Sequence, residues 1–156
     1  MLHTNKKVLI ILLSYIIVNI FVILTSPNWQ NILFANSLLY IGLYDYFAFI
    51  IPDLGIIAIL LIAFFNFESI NLLYMIIIFL ITFYYWRNGK MGFGDVKLLS
   101  VLSLLLGIYI FPLIIISTIL IILSNKKKAI KKVPLGFYIM LSTFILYIFR
   151  GFYNTL

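Results

Sequence analysis

The sequence predicts an all-α, polytopic membrane protein with about seven transmembrane helices and a cytoplasmic N-terminus. Three features lead to this prediction: 65% of the 156 residues are hydrophobic, only 10% are charged, and apolar stretches recur along the whole chain. A soluble domain of this length could not bury so much apolar surface. Backbone polar groups in lipid must be satisfied within helices or a closed barrel, and long apolar runs, unlike alternating ones, favour helices.

The first four predicted spans cover residues 8–24, 32–50, 54–65 and 70–86. A bilayer core requires about 20 apolar residues per helix. We interpret the first span as a retained anchor rather than a signal peptide, because its apolar run is long and no clear small-residue cleavage pattern follows it. Pro52 ends the second span, because proline lacks the backbone donor and disfavours a helical residue before it.

The stretch 98–123 is longer than one span and short for two. Gly107 and Pro112 near its middle favour a tight hairpin over a single kinked helix, which would leave six spans. The hairpin places ten of the eleven Lys and Arg residues on one side, as the positive-inside rule expects of the cytoplasmic side. The last span is then expected at residues 133–149, and residues 1–156 are expected to form a single membrane-embedded domain. The ten basic residues are Lys6, Lys7, Arg87, Lys90, Lys97 and the five lysines within 126–132, which leaves Arg150 on the opposite side.

The composition also excludes several classes of chemistry. The chain has no cysteine, which excludes disulfides, thiolate zinc sites and a cysteine nucleophile. Its one histidine, His3, lies in the N-terminal tail, which argues against Ser-His-Asp catalysis and histidine metal sites. We therefore expect no metal and no cofactor. The net charge of +7 is interpreted as orientation in the bilayer rather than as a sign of nucleic-acid binding.

The remaining candidates are the four acidic residues, Asp45, Asp53, Glu68 and Asp95. The predicted topology places Glu68 in an outer turn and the other three at the cytoplasmic face. A carboxylate at a membrane boundary is costly and is a functional-site hypothesis by default. Asp45 could instead cap the end of its helix, although an acidic residue is unfavourable near a helix C-terminus. Asp95 could instead be the N-cap of span five.

Two aspartates at one membrane face suggest a catalytic pair. Neighbouring carboxylates cannot both ionise easily and so share a proton. One can then activate water as a base while the other protonates a carbonyl oxygen. This chemistry hydrolyses a peptide bond without a nucleophilic side chain or a metal.

The surroundings of these two aspartates resemble the signatures of a known family. Asp45 lies seven residues before Pro52, which Asp53 follows, and this pattern is similar to the first signature of bacterial type IV prepilin peptidases, aspartic peptidase family A24. The run Gly-Phe-Gly-Asp-Val-Lys-Leu-Leu at 92–99 resembles the second signature, G-x-G-D. Leu106-Gly107 with Pro112, and Val133-Pro134-Leu135-Gly136, also resemble family features, although Leu135 stands where phenylalanine is usual.

The resemblance implies a role for each residue of the two signatures. Asp45 and Asp95 would be catalytic, Gly92 and Gly94 would shape the site, and Lys97 would support it unless it is only an orientation charge. Asp53, after Pro52, is not implied to be catalytic, and we expect it to cap the third span. Longer members of the family carry an N-terminal domain with paired Cys-x-x-Cys motifs, and this cysteine-free chain resembles the peptidase core alone.

The resemblance also implies a substrate and a location. The substrates would be type IV prepilins or pseudopilins, whose short basic leader is cut after glycine at the cytoplasmic face of the inner membrane. A presenilin-like or signal-peptide-peptidase-like protease is one alternative, because Tyr44-Asp45 also fits that pattern. A small ion-coupled transporter is another, although it would need carboxylates near the middle of the membrane.

Overall fold

A computed structural model describes residues 2–25, 28–66, 69–125 and 133–148. These residues form seven α-helices and one 3-10 turn, with no strand among them. The all-helical prediction is confirmed for this part of the chain. The helices are α1 (Leu2–Thr25), α2 (Trp29–Ala48), α3 (Asp53–Phe65), α4 (Ser69–Arg87), α5 (Phe93–Leu106), α6 (Ile110–Asn125) and α7 (Leu135–Ile148), and the turn is Gly107–Tyr109.

One helical stretch of the described residues, Phe93–Ser124, is long and apolar enough to cross a membrane by length and composition. It comprises α5, the 3-10 turn and α6. The shorter apolar helices are Leu9–Leu24, Asp53–Phe65, Asn71–Arg87 and Leu135–Leu146. The outward faces of these helices are also apolar, with residues such as Leu24, Leu54 and Phe64 exposed. The number of membrane spans stays a prediction.

The chain reverses direction within Phe93–Ser124, as the predicted hairpin requires. Gly107 ends α5 with a φ of 53° and a ψ of −124°, a backbone conformation that other residues avoid. Asp95 near the start of α5 and Ile121 near the end of α6 line one cavity. A straight helix would separate them by about 40 Å at 1.5 Å per residue. The reversal therefore brings both ends of the stretch to one end of the helix bundle.

The end of α2 and the start of α3 differ from the predicted capping. Phe49 ends α2 in a left-handed conformation, with a φ of 54°, and its N–H donates to the carbonyl of Asp45. Pro52 is the N-cap of α3 and no side chain makes a capping hydrogen bond there. The expectation that Asp53 caps the third span is therefore wrong. Asp53 is instead the first residue of α3, where a carboxylate is favourable to the helix dipole.

Helix α2 holds the bundle together, since it packs against α1, α3 and α7. Its contact with α7 is close because position 42 is glycine. A Cβ atom on Gly42 would lie 2.6 Å from Sδ and 2.8 Å from Cβ of Met140. The core beneath the cavity consists of buried aliphatic side chains, including Ile59, Leu98 and Ile139. This packing fixes the end of α2 relative to the start of α7.

Candidate active site

Three of the four acidic residues line one cavity at the end of the bundle where α2 ends and α3 and α5 begin. Asp45, Asp53 and Asp95 all contribute to this cavity, whose volume is about 890 Å³. The three acids that the sequence analysis placed on one membrane face thus lie at one end of the helix bundle. Glu68 lies outside the described residues, as do the lysines within 126–132 and Arg150. The rest of the cavity wall includes Phe49, Ile50, Ile51, Lys90, Phe93, Lys97, Ile121, Val133 and Leu135.

Asp45 lies in the last turn of α2 and is 5% exposed. Its Oδ2 accepts a hydrogen bond of 2.7 Å from the backbone N–H of Gly136 at the start of α7. The ring of the next residue, Tyr46, packs against Phe137 at 4.8 Å between centroids. The carboxylate thus binds a different helix rather than the end of its own. The alternative in which Asp45 serves only as a helix-end cap does not describe this geometry.

Asp95 is the third residue of α5 and is partly buried. Its Oδ2 accepts a hydrogen bond of 3.2 Å from the backbone N–H of Gly92, the N-cap residue. Asp95 is therefore not the N-cap, but it does satisfy one backbone donor at the start of its helix. This local bond orients the carboxylate while leaving it at the cavity wall.

The two aspartates lie on α2 and α5, helices whose backbones do not pack directly against each other in the described part of the chain. Asp45 and Asp95 both line the cavity. No Cα atoms of α2 and α5 lie close together among the described residues. Helices α3 and α7 each pack against both α2 and α5. The pair is thus assembled across the cavity, with α3 and α7 between the two helices that carry it.

The glycines of the second signature have different surroundings. A Cβ atom on Gly94 would lie 3.0 Å from Cβ of Ile51, in the loop between α2 and α3. A Cβ atom on Gly92 would meet only the Asp95 carboxylate, with Oδ2 at 3.1 Å. Gly94 therefore allows the start of α5 to lie close against that loop, whereas Gly92 lies in more open space. The shaping role inferred for both glycines remains a proposal.

Lys97 and Asp53 form an ion pair at the cavity. The Nζ atom of Lys97 lies 2.6 Å from Oδ1 of Asp53, and 5.3 Å from the centroid of the Phe93 ring. Pro52, which precedes Asp53, does not line the cavity. The pair links α3 to α5, so Lys97 has a specific partner in addition to its charge.

The sequence prediction missed Gly136 as a contributor to the site. The run Val133-Pro134-Leu135-Gly136 was a visible signal, but nothing local indicated that its amide would meet Asp45. Ile51 and Phe49 were also missed, because they lie in an apolar stretch that predicts lipid contact. Among the described residues, no three of His, Cys, Asp and Glu come together as a metal site. The arrangement itself offers two carboxylates, those of Asp45 and Asp95, in the wall of one cavity.

The family model described as the Type IV leader peptidase family matches residues 32–124. The match covers more than half of the chain and includes both Asp45 and Asp95. Neither the comparison with curated proteins nor the comparison with solved structures finds a match. The matched segment begins within α2 and ends within α6, so Gly136 lies beyond it.

Proposed function

The chain belongs to the type IV leader peptidase family, and from this premise we propose that it is a membrane aspartic endopeptidase that cleaves the leader of type IV prepilins or pseudopilins. The observation that carries the proposal is the meeting of Asp45 and Asp95 at one cavity. The two residues come from the two separate signatures, and both line the same cavity.

The proposed chemistry uses the two carboxylates and one water molecule. The pair holds one proton between its members. The ionised aspartate takes a proton from water, whose oxygen attacks the carbonyl carbon of the scissile peptide bond. The protonated aspartate gives its proton to the carbonyl oxygen, which produces a tetrahedral diol. The aspartate that took the water proton gives it to the nitrogen as the C–N bond breaks, and the other aspartate takes a proton from one diol hydroxyl. The products are an amine and a carboxylic acid, and the pair again holds one proton.

We place the active site at the cytoplasmic face of the inner membrane, in a multi-pass protein. Arg87, Lys90 and Lys97 lie at the same end of the bundle as the two aspartates. Positive residues concentrate on the cytoplasmic side of membrane proteins. The apolar outward faces of the helices support lipid as their solvent. The seven-span topology with a cytoplasmic N-terminus belongs to the same proposal.

The position of the pair supports cleavage just before an apolar substrate helix. Asp45 is near the end of α2 and Asp95 near the start of α5, so a scissile bond between them lies at the membrane boundary. Two carboxylates must close around an extended peptide there, which favours glycine at the end of the leader. The substrate helix can then pack against the enzyme in lipid, and this contact orients the bond for attack.

The described acids do not favour the transporter alternative. Ion-coupled transport would need carboxylates near the middle of the membrane. Asp45, Asp53 and Asp95 all lie in the first or last turn of a helix. The presenilin-like alternative expects its two aspartates on adjacent spans, whereas α3 and α4 separate α2 from α5 along this chain.

Cleavage of a prepilin by the reconstituted protein tests the proposal. The purified full chain is placed in liposomes with a prepilin whose leader ends in glycine. We expect cleavage after this glycine, and loss of cleavage when it is replaced by leucine. A matched substitution deep in the mature apolar helix should have little effect. Equal cleavage of the glycine and leucine substrates would reject prepilin-type specificity and favour a broader intramembrane protease.

A further inference from the structure

The start of α7 reaches Asp45 through two backbone amides, those of Phe137 and Gly136, and the Gly136 amide makes a short hydrogen bond. Its N–H donates to Oδ2 of Asp45 over 2.7 Å, and both residues are buried. The first intrahelical bond at this end of α7 runs from the Tyr138 N–H to the Pro134 carbonyl, at 3.4 Å. The Gly136 amide thus has no acceptor within its own helix, as expected of the first turn. Asp45 satisfies this donor.

The absence of a side chain at Gly136 permits this contact. A Cβ atom there would lie 3.1 Å from Oδ2, 3.3 Å from Cβ and 3.4 Å from Cγ, and all three atoms belong to Asp45. Any side chain at Gly136 would therefore press on Asp45 before anything else. The close approach of α7 is directed at the aspartate.

The corresponding bond at Asp95 is weaker. The Gly92 N–H lies 3.2 Å from Oδ2 of Asp95, and this contact is exposed. Short, buried hydrogen bonds to a carboxylate are the stronger ones. A backbone N–H can only donate, so it favours an ionised oxygen over a protonated one. The two members of the pair therefore have unequal environments.

We propose that Gly136 is a positioning residue, whose amide fixes Oδ2 of Asp45 and holds this aspartate as the ionised, water-activating member of the pair. Oδ1 of Asp45 then takes the proton from water, and Asp95 carries the proton that passes to the carbonyl oxygen. This inference rests on the proposed function and adds a division of roles to it. The other charged groups around the cavity are Asp53, Lys90 and Lys97. Asp53 and Lys97 form an ion pair and so neutralise each other. The Tyr138 hydroxyl of α7 forms a hydrogen bond with the Ser124 hydroxyl.

Two substitutions at Gly136 compare a variant that keeps the backbone N–H with one that lacks it. Gly136→Ala adds a Cβ atom and keeps the N–H, whereas Gly136→Pro adds a Cβ atom and removes the N–H. Proline is tolerated in the first turn of a helix, where the N–H has no intrahelical acceptor. Gly136→Pro also places its ring Cδ where the N–H pointed, so the direction of the shift in the pH profile, rather than the rate alone, reports on the hydrogen bond.

The measurement is the pH profile of kcat/KM for prepilin cleavage, together with the Tm of each variant. We expect Gly136→Pro to be at least about ten-fold less active than Gly136→Ala, because a charge-assisted hydrogen bond is lost. We also expect its acidic limb to move to higher pH by about one unit, because ionised Asp45 has lost the Gly136 donor. Equal rates and superimposable profiles for the two variants would overturn the inference. Cleavage by the unaltered protein would still support the proposed function.

A second measurement does not depend on activity or on the folding of Gly136→Pro. The chain has eight glycines, so selective ¹⁵N-glycine labelling gives few amide signals in NMR. The Gly136 signal is the one missing from Gly136→Ala. Asp45→Asn should shift this signal clearly more than Asp95→Asn does. An unchanged chemical shift of the Gly136 amide in Asp45→Asn would refute the contact, whether or not the protein cleaves prepilins.

Discussion

The ammonium nitrogen of Lys97 lies 2.6 Å from Oδ1 of Asp53, which connects the first turn of α3 to the first turns of α5 beside the cavity. Both partners belong to the two signatures, but neither carboxylate of the catalytic pair takes part. The side chains are 37% and 67% exposed, so solvent screens their attraction and the pair adds only about 0–1 kcal/mol to stability. The ion pair joins α3 to the start of α5, the helix that carries Asp95.

The ion pair predicts unequal effects for two lysines at the cavity. Lys97→Met should lower kcat/KM several-fold with little change in Tm, because α5 loses its tie to α3. Lys90→Met is the matched control, since Lys90 lines the same cavity and none of the described acidic residues forms an ion pair with it. Kinetics of prepilin cleavage measure both. Equal loss in the two variants would mean that the cavity needs positive charge in general.

The proposed catalytic pair predicts a sharp contrast among the three aspartates of the cavity. Asp45→Asn and Asp95→Asn should each lower turnover by about 10³-fold, because each removes one member of an acid–base pair. Asp53→Asn should retain most activity, since its amide oxygen can still accept from Lys97. Single-turnover cleavage in liposomes measures the rates. The size-exclusion elution profile of each purified variant in detergent checks that all three variants insert and fold. Near-normal turnover in either of the first two variants would contradict the assignment.

The reversal at Gly107 predicts a large loss of stability on substitution. Gly107→Ala should lower Tm strongly, because its backbone conformation is unfavourable for alanine and a Cβ atom there would clash with Oδ1 of Asn71. Gly89→Ala is the control, since its φ of 68° is also positive but no atom lies within 4 Å of the added Cβ. It should cost only about 1 kcal/mol. Thermal unfolding in detergent would contradict this prediction if both variants lost equal stability.

The proposed topology predicts opposite labelling at the two ends of the bundle. The chain has no cysteine, so a single introduced thiol is the only target. Asn88→Cys lies next to the cavity and should react only from the cytoplasm. Asn28→Cys lies at the other end, where Trp29 packs against Phe65 at 5.9 Å between ring centroids, and should react only from outside. Reaction of both thiols from one side would reject the proposed orientation.

Local patterns predicted most of the helices and both aspartates of the pair. The apolar runs and Pro52 placed the helix boundaries near their observed positions, because these features act within a few residues. The hairpin at Gly107 was also visible, since only glycine readily adopts its backbone conformation. The role of Asp53 could not be predicted from the sequence, because its partner Lys97 lies on another helix and the preceding Pro52 is the N-cap of α3.

The sequence by itself determined the helical class and the family and singled out the two candidate carboxylates, because composition, periodicity and short signatures are properties of neighbouring residues. Tertiary structure alone decided how the pair is built. Among the described residues the backbones of α2 and α5 do not pack directly against each other, and α3 and α7, which pack against both, lie between Asp45 and Asp95 in the bundle. The amide of Gly136 reaches Asp45 only because Gly42 allows α7 to pack closely against α2. Such contacts join residues far apart in the chain, and they exist only once the helices have packed.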